Sequence, residues 1–471
     1  MFERFLKYFK DREFYPNTLL YTKAVDIVKN IWQKYYGQSL KVSSVMESYH
    51  NLPKNTSAGF PFKSGIKKGE VKNYMIYLAR KQWNRIKQGK LLQVVPCKSG
   101  ARCQLRKRGS NKPRLIWAYP GYITVIENQY LTSIKDHPPP NFMGWSVNWL
   151  DQGKSLTRLM YGDGNTWRSI AQIDFSSFDA TVRSELIYSA FSIVRSLFDL
   201  SSVESRMLDQ LRYYFIHTPI VFYNEVYVTS KGIPSGSGFT QLIGSIVNMI
   251  ACTYSSLRSR EFNLRHEYSC WLGDDSLLNF KEALARDEFD KDYLQHFKEL
   301  GLEVSVDKTH YTTRFYDEDR FLIWNERPTV KFLGKEIDVM DLTFHNDVKK
   351  LEAQIALPER QDHSPYETGV RLIGLVWAYG MHYDIYLKIL KIYLSLNLHP
   401  IYGVHTLIKA STKPDKTRQY VEHFLTSLKY QLNITVEIHE LFTFPSFWDV
   451  SNRYFGPKYE RLKFRSHKIL D

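Results

Sequence analysis

Apolar residues recur at helical intervals between Leu19 and Tyr36 (Leu20, Ala24, Ile27, Val28, Ile31 and Trp32), which predicts an early amphipathic helix. The pattern then changes. Leu91 to Val95 and Leu115 to Tyr119 are short apolar runs flanking a basic, glycine-containing connection, so they read as two strands joined by a loop. Ser169 to Phe175 reads as a further strand, followed by a turn and a helix over Ser184 to Phe198. Phe222 to Thr229 reads as a strand, Phe239 to Leu257 as a mostly apolar helix, and Tyr268 to Phe280 as two strands closed by a Gly-Asp-Asp turn. Glu282 to Leu300 has the period of an amphipathic helix ended by Gly301. Beyond about residue 340 the pattern is helical again, notably over Thr368 to Leu398, with a mixed basic tail from Ser451. Strands in the middle and helices at the end predict an α+β protein with a helical C-terminal part.

Composition narrows the class. Hydrophobic residues fill 43% of the 471 positions, too many for a disordered chain, while 24 Gly and 18 Pro are too few for a collagen-like or linker protein. At about 150 residues per domain the length suggests roughly three domains or subdomains. Cys97, Cys103, Cys252 and Cys270 have no zinc-ligand or disulfide-framework spacing and read as reduced thiols. Charges interrupt the apolar residues of MFERFLKYFKDREF, so no secretory signal is expected there. The uncharged run Gly232 to Leu257 is long enough to span a bilayer, but Pro234, four glycines, Gln241, Asn248 and many Ser/Thr argue for a buried loop and helix.

Charge is the most informative quantity. The formal net charge is +15, and the stretch Lys63 to Arg114 alone carries 16 Lys/Arg against one acid, Glu70, so the remainder is neutral. A solvated basic face is the ordinary explanation of such a cluster. Its concentration, interleaved with Tyr74, Tyr77 and Trp83, instead favours a surface for a polyanion.

Candidate chemistry lies in the acids. Asp174 ends an apolar strand and Asp179 follows five positions later; Asp274 and Asp275 occupy the turn between two predicted strands. Strand-end carboxylates often only cap turns. Two such sets, however, are what a pair of Mg²⁺ ions roughly 3.5–4 Å apart requires to clamp the attacking and leaving oxygens of a phosphoryl transfer. Between them the run Gly232 to Thr240 places glycines and hydroxyls at a helix N-terminus, a geometry suited to a phosphate- or ribose-bearing ligand.

With these residues in hand, the chain resembles the viral RNA-dependent RNA polymerases, in order, through about 280 residues. Thr56-Ser57-Ala58-Gly59-Phe60-Pro61 is similar to motif G, the template-entry loop. Lys98 to Tyr119, including Lys112 and Arg114, is similar to motif F, whose basic residues embrace the incoming triphosphate. Asp174 to Asp179 resembles motif A, Ser235-Gly236-Ser237-Gly238-Phe239-Thr240 motif B, and Gly273-Asp274-Asp275 motif C. Gly301 to Lys308 resembles motif D, with Lys308 at the place of the general acid, and Phe332-Leu333-Gly334-Lys335 resembles motif E, the primer grip. The wording around these motifs is most like that of partitiviruses, small double-stranded RNA viruses, with picobirnavirus-like enzymes next.

The resemblance implies a right hand with fingers over 1–165, a palm over 166–340 that carries an antiparallel sheet with helices and a fingers insertion near 186–230, and a helical thumb and tail over 341–471. It implies template-directed RNA synthesis from nucleoside triphosphates, with Asp174, Asp274 and Asp275 on Mg²⁺ or Mn²⁺ and Lys308 protonating pyrophosphate. Lys98, Lys112 and Arg114 would neutralise the triphosphate, and Asp179, Ser235, Gly236 and Thr240 would contact the nucleotide. Thr56, Ser57, Gly59, Phe60 and Pro61 would guide the template, and Phe332, Leu333 and Lys335 the primer strand. RNA, nucleotides and a capsid protein are the implied partners, with no membrane, in the virion interior and host cytoplasm. One departure stands out. The place four residues after Thr240, often asparagine, is Gly244, with Ser245 and Asn248 following, so the partner of Asp179 in reading ribose is open, with Ser235, Thr240 and Ser245 as further candidates. A reverse transcriptase would usually have a bulky aromatic at Asp179 and Tyr-x-Asp-Asp at the turn; a non-catalytic RNA-binding protein would not need the carboxylates.

Overall fold

The computed structural model describes residues 2–102, 114–136, 139, 169–313, 329–332, 335–338, 344–346, 348–357, 362, 365–379 and 383–397. These fall into two units, one holding the described residues up to Phe332 and one holding those from Lys335 on. Lys112, Leu333 and everything beyond residue 397, including the basic tail, lie outside the described residues.

The strands of the first unit are β1 (Cys97–Arg102), β2 (Arg114–Ala118), β3 (Ser169–Gln172), β4 (Pro219–Phe222), β5 (Glu225–Val228), β6 (Cys270–Leu272), β7 (Asp275–Phe280), β8 (His310–Thr313) and β9 (Thr329–Phe332). One sheet has the order β2-β1-β4-β5, with β1 and β4 parallel and the other pairs antiparallel. Residues 219–228 thus extend the sheet of 97–118. A second sheet, β6-β7-β3-β8, is antiparallel throughout. All of β3 and all of β7 after Asp275 are buried. Successive strand residues face opposite sides, so both faces of this sheet are covered.

Behind β6 runs the helix Thr240–Arg258, buried at every position from Leu242 to Ser255. A helix without a polar face belongs in a core, which settles the bilayer-length run as the buried loop and helix expected from its composition. Its main helical partner is Thr18–Tyr36, begun by Asn17, whose side chain accepts from the Leu20 N–H at 3.1 Å. No described helix is long and apolar enough to cross a membrane.

Several expected elements are corrected. Leu91 to Val95 is not a strand. Its Leu92 and Gln93 N–H groups donate to the side chains of Gln210 and Gln82, and Pro96 has no donor for a ladder, so the strand starts at Cys97. Phe222 to Thr229 is not one strand: Phe222 ends β4, the chain turns at Tyr223, where φ is 54°, and Glu225–Val228 returns as β5. Glu282 to Leu300 is not one regular helix. It begins at Arg286, widens to a π turn over Phe289–Tyr293 and tightens to 3-10 turns over Leu294–Leu300 before Gly301. The wide turn carries Phe289 and Tyr293, whose rings stack on each other at 5.2 Å, with Phe289 also stacked on Tyr311 at 4.4 Å.

In the second unit β10 (Lys335–Asp338) pairs antiparallel with β11 (Phe344–Asn346), a hairpin that precedes the expected helices. These run Val348–Ala356, Pro365–Tyr379 and Tyr383–Ser395 around Leu372, Val376, Ile385, Tyr386 and Ile389.

Candidate active site

Asp174 lies two residues past the end of β3, and Asp275 opens β7. Continuing the register Ala171↔Leu278 brings Asp174 level with Asp275. Leu272 pairs with Asp275, so Gly273 and Asp274 alone form the hairpin loop. Gly273 takes φ +62°, which a two-residue loop of this hand demands of its first position. The three acids expected from the sequence are thereby brought to one sheet end. Burial first, then the charges of Asp274 and Asp174, push the Asp275 carboxyl up to about 7. A cation among them would reverse that shift. Among the described residues no three acid, imidazole or thiol groups close a metal cage by themselves. Mg²⁺ does not require one, since it is held by one or two carboxylates, waters and substrate phosphates. The hard, mutually repelling oxygens fit such an ion.

The segment after Asp174 is pinned from the other side. The Asp174 N–H donates to Thr309 Oγ1 at 3.2 Å, its carbonyl accepts from the Ser305 N–H at 2.7 Å, and the Ser176 N–H donates to the Glu303 carbonyl at 2.8 Å. Lys308 sits exposed on the intervening 3-10 turn, which Arg286 holds by donating to the Val306 and Thr309 carbonyls. Asp179 is half-buried in the four-residue helix Phe178–Thr181. Its backbone carbonyl accepts from the Ile233 N–H at 2.6 Å, tying this turn to the glycine-rich loop. Lys231, buried just before that loop, donates to the Ala180 carbonyl at 2.9 Å and the Lys7 carbonyl at 3.1 Å; burial lowers its ammonium to about 8.

The hydroxyls weighed for ribose reading are engaged internally. Ser235 Oγ accepts from the Trp117 N–H at 3.1 Å, and Thr240 Oγ1 donates to the Pro234 and Ser237 carbonyls. Ser245 Oγ donates to the Gln241 carbonyl and accepts from the Gly273 N–H at 2.6 Å. Asn248 Nδ2 donates to the Gly273 carbonyl at 3.1 Å and the Asp275 carbonyl at 3.4 Å. Ser245 and Asn248 therefore hold the acidic turn, while Gly244 lets its Cα approach, a Cβ there lying 3.4 Å away. A Cβ on Gly236 would fall 1.9 Å from the Trp117 carbonyl, so only glycine fits where the loop meets β2.

One residue of this site was not anticipated. Glu127, fully buried on the helix Gly121–Asp136, accepts from Ser237 Oγ and from the Gly238 N–H, both at 2.7 Å, and so anchors the glycine-rich loop. A single charge in the stretch Tyr122 to Leu131 was the available signal. Burial raises its carboxyl to about 7, opposed by those two bonds and by Lys68 and Lys135. A carboxyl raised on folding binds protons more readily in the folded state, so stability falls as pH rises from its unfolded range through about 7. The melting temperature of Glu127→Gln relative to wild type should therefore rise between pH 5 and pH 8. A difference independent of pH would show that Glu127 does not titrate there.

The 56–64 loop docks on the first sheet. Gly59 lies against the Tyr119 carbonyl, and the Gly121 N–H donates to the Ala58 carbonyl at 2.7 Å. Thr56 Oγ1 donates to the Pro53 carbonyl, and Ser57 Oγ accepts from the Gly59 N–H. Lys98, expected on the triphosphate, has its ammonium 4.4 Å from the Phe60 ring centroid and donates to the Phe62 carbonyl at 2.9 Å. Pro61 is exposed beside it. Arg114 opens β2 opposite Arg102, Phe332 is buried at the end of β9, and Lys335 opens β10 opposite Asn346.

Residues 16–395 match the family model described as viral RNA-dependent RNA polymerase. The chain is 65% identical over 471 residues to the RNA-directed RNA polymerase of Cryptosporidium parvum virus 1, covering all of this chain and 90% of that one. It is 31% identical over 162 residues to the genome polyprotein of a human hepatitis A virus of genotype IIA, covering 32% of this chain and 7% of the polyprotein. The crystal structure of the RNA-dependent RNA polymerase of a human picobirnavirus superposes with a TM-score of 0.62 at 14% identity, over 98% of this chain and 82% of that one. The shared fold is the right hand of these polymerases.

Proposed function

Because this chain belongs to the viral RNA-dependent RNA polymerases, we propose that Asp174, Asp274 and Asp275 form the metal-binding centre at which it adds nucleotides to a growing RNA. The chain synthesises RNA on an RNA template from nucleoside triphosphates, and polymerases of this family use divalent metal ions. The observation that carries the assignment is the strand register, which sets Asp174 level with Asp275 beside the two-residue Gly273-Asp274 loop. Mg²⁺, or Mn²⁺ in its place, supplies a clamp on the attacking and leaving oxygens when bound there.

The chain's own residues do the rest. Lys112 and Arg114 neutralise the triphosphate, Lys308 gives a proton to the departing pyrophosphate, and Asp179 accepts a hydrogen bond from the ribose 2′-hydroxyl. Ser235, Gly236 and Thr240 shape the loop beside the nucleotide, with Glu127 fixing it. Lys98, whose ammonium meets the template loop at Phe62, joins Lys112 and Arg114 on the triphosphate. Thr56, Ser57, Gly59, Phe60 and Pro61 guide the template, and Phe332, Leu333 and Lys335 hold the primer strand. In this reading residues 1–165 are fingers, 166–340 palm with the insertion near 186–230, and 341–471 thumb and tail. The enzyme replicates and transcribes the double-stranded RNA genome of a partitivirus-like virus, beside a capsid protein in the virion interior and in the host cytoplasm.

The purified chain, given a defined single-stranded RNA and four ribonucleoside triphosphates, should make the complementary RNA with Mg²⁺ and none in excess chelator. Product whose sequence ignores the template, or equal yield in chelator, would overturn the reading.

A further inference from the structure

The helix Lys72–Lys87 buries Met75, Ile76, Ala79, Gln82 and Ile86 and turns Tyr74, Tyr77, Arg80, Lys81 and Lys87 outward. Tyr74 and Tyr77 are 51% and 56% exposed, unusual for two large rings on one helical face. Their rings stack at 6.0 Å with an interplanar angle of 23°, and the edge of Tyr74 meets Phe62 at 5.6 Å. Phe62 directly follows Phe60 and Pro61, and its carbonyl is the one Lys98 holds. A run of rings therefore leads from the 56–61 loop out along the helix. From Val71 to Arg102 there are eight Lys/Arg and no acid.

We infer that Tyr74 and Tyr77 form a stacking platform for unpaired bases of the RNA template before it enters at the 56–61 loop, with Arg80, Lys81 and Lys87 facing its phosphates. A solvated basic helix has no need of paired exposed rings, and an apolar protein partner would not match a face without an acid. Single-stranded nucleic acid matches both features, because every base has a face to stack and every linkage a charge. Stacking is indifferent to sequence, as a polymerase that copies any template requires. The platform rests on the proposal that the 56–61 loop admits the template. Synthesis reads the template toward its 5′ end, so the strand on the platform is the 5′ extension not yet copied.

The test is the affinity of wild type and Tyr74→Ala/Tyr77→Ala for primer–template duplexes with short and long single-stranded 5′ extensions, with melting temperature as the control for folding. Wild type should bind the long extension about tenfold more tightly than the short one, consistent with one or two stacked bases. The double alanine variant should lose most of that gain, and Tyr74→Phe/Tyr77→Phe should keep it, since the ring and not the hydroxyl is used. Arg80→Ala/Lys81→Ala should flatten the salt dependence of the gain. An undiminished gain in the alanine variant, or an equal loss in the phenylalanine variant, would overturn the platform. So would loss of binding to a capsid protein with the gain intact, which would make the surface a protein-docking site. Failure of wild type to extend any duplex would count against the polymerase reading, not the platform, whose readout is binding.

Discussion

Alanine at Asp179 should reduce the preference for ribonucleotides over deoxyribonucleotides by about 10- to 200-fold, because a hydrogen bond to a charged group contributes about 1.5–3 kcal/mol. In the proposed role the carboxylate accepts from a 2′-hydroxyl, where a bulky aromatic would exclude it. The backbone bond from Ile233 to the Asp179 carbonyl fixes the turn from which the side chain extends. A helix-capping role would predict a different result. The long helix downstream begins at Ser184, with Arg183 and not Asp179 at its N-cap position. It lies in the first turn of its own four-residue helix, where an acid is worth about 0.3–1 kcal/mol of stability and nothing in sugar choice. Ser235, Thr240 and Ser245 are bonded to protein groups. The ratio of GTP to dGTP incorporation on one template, with melting temperature alongside, decides between them. An unchanged ratio with a lower melting temperature would remove Asp179 from sugar recognition.

The two acid sets were legible because their chemistry is local in sequence. An apolar strand running into Asp174, and a hairpin whose loop is only Gly273 and Asp274, can be read from alternation and a turn residue. The Gly232 to Thr240 loop before an uncharged helix was legible for the same reason. Parts that depend on distant partners were not. Glu127 stands more than a hundred residues from the Ser237 and Gly238 groups it binds, and Asn248 reaches the Gly273 and Asp275 carbonyls from another element. The contacts of the Lys98 ammonium with Phe60 and Phe62 join segments more than thirty residues apart. The strand misplaced at Leu91 to Val95 has a similar origin, since an apolar run does not reveal that glutamines from two helices take its N–H groups. The irregular helix after Arg286 followed from ring packing that periodicity cannot register.

The acidic turn supports the second large effect. Asp274 is exposed at the tip of the hairpin, so replacing it removes little packing. Asp275 would lose one of the two charges that hold its carboxyl up, and Asp174 and Asp275 would be left to hold the metal with one ligand fewer. Loss of a metal clamp removes several kcal/mol of transition-state stabilisation, which is a factor of at least about one hundred in rate. RNA affinity, expected from the separate basic stretch between Lys63 and Arg114, should persist. The decisive measurement is nucleotide incorporation and RNA affinity of Asp274→Ala on one preparation. Incorporation below about one hundredth of wild type with RNA affinity within about threefold is the predicted result; incorporation above that level would contradict the placement of the metal centre at Asp174, Asp274 and Asp275.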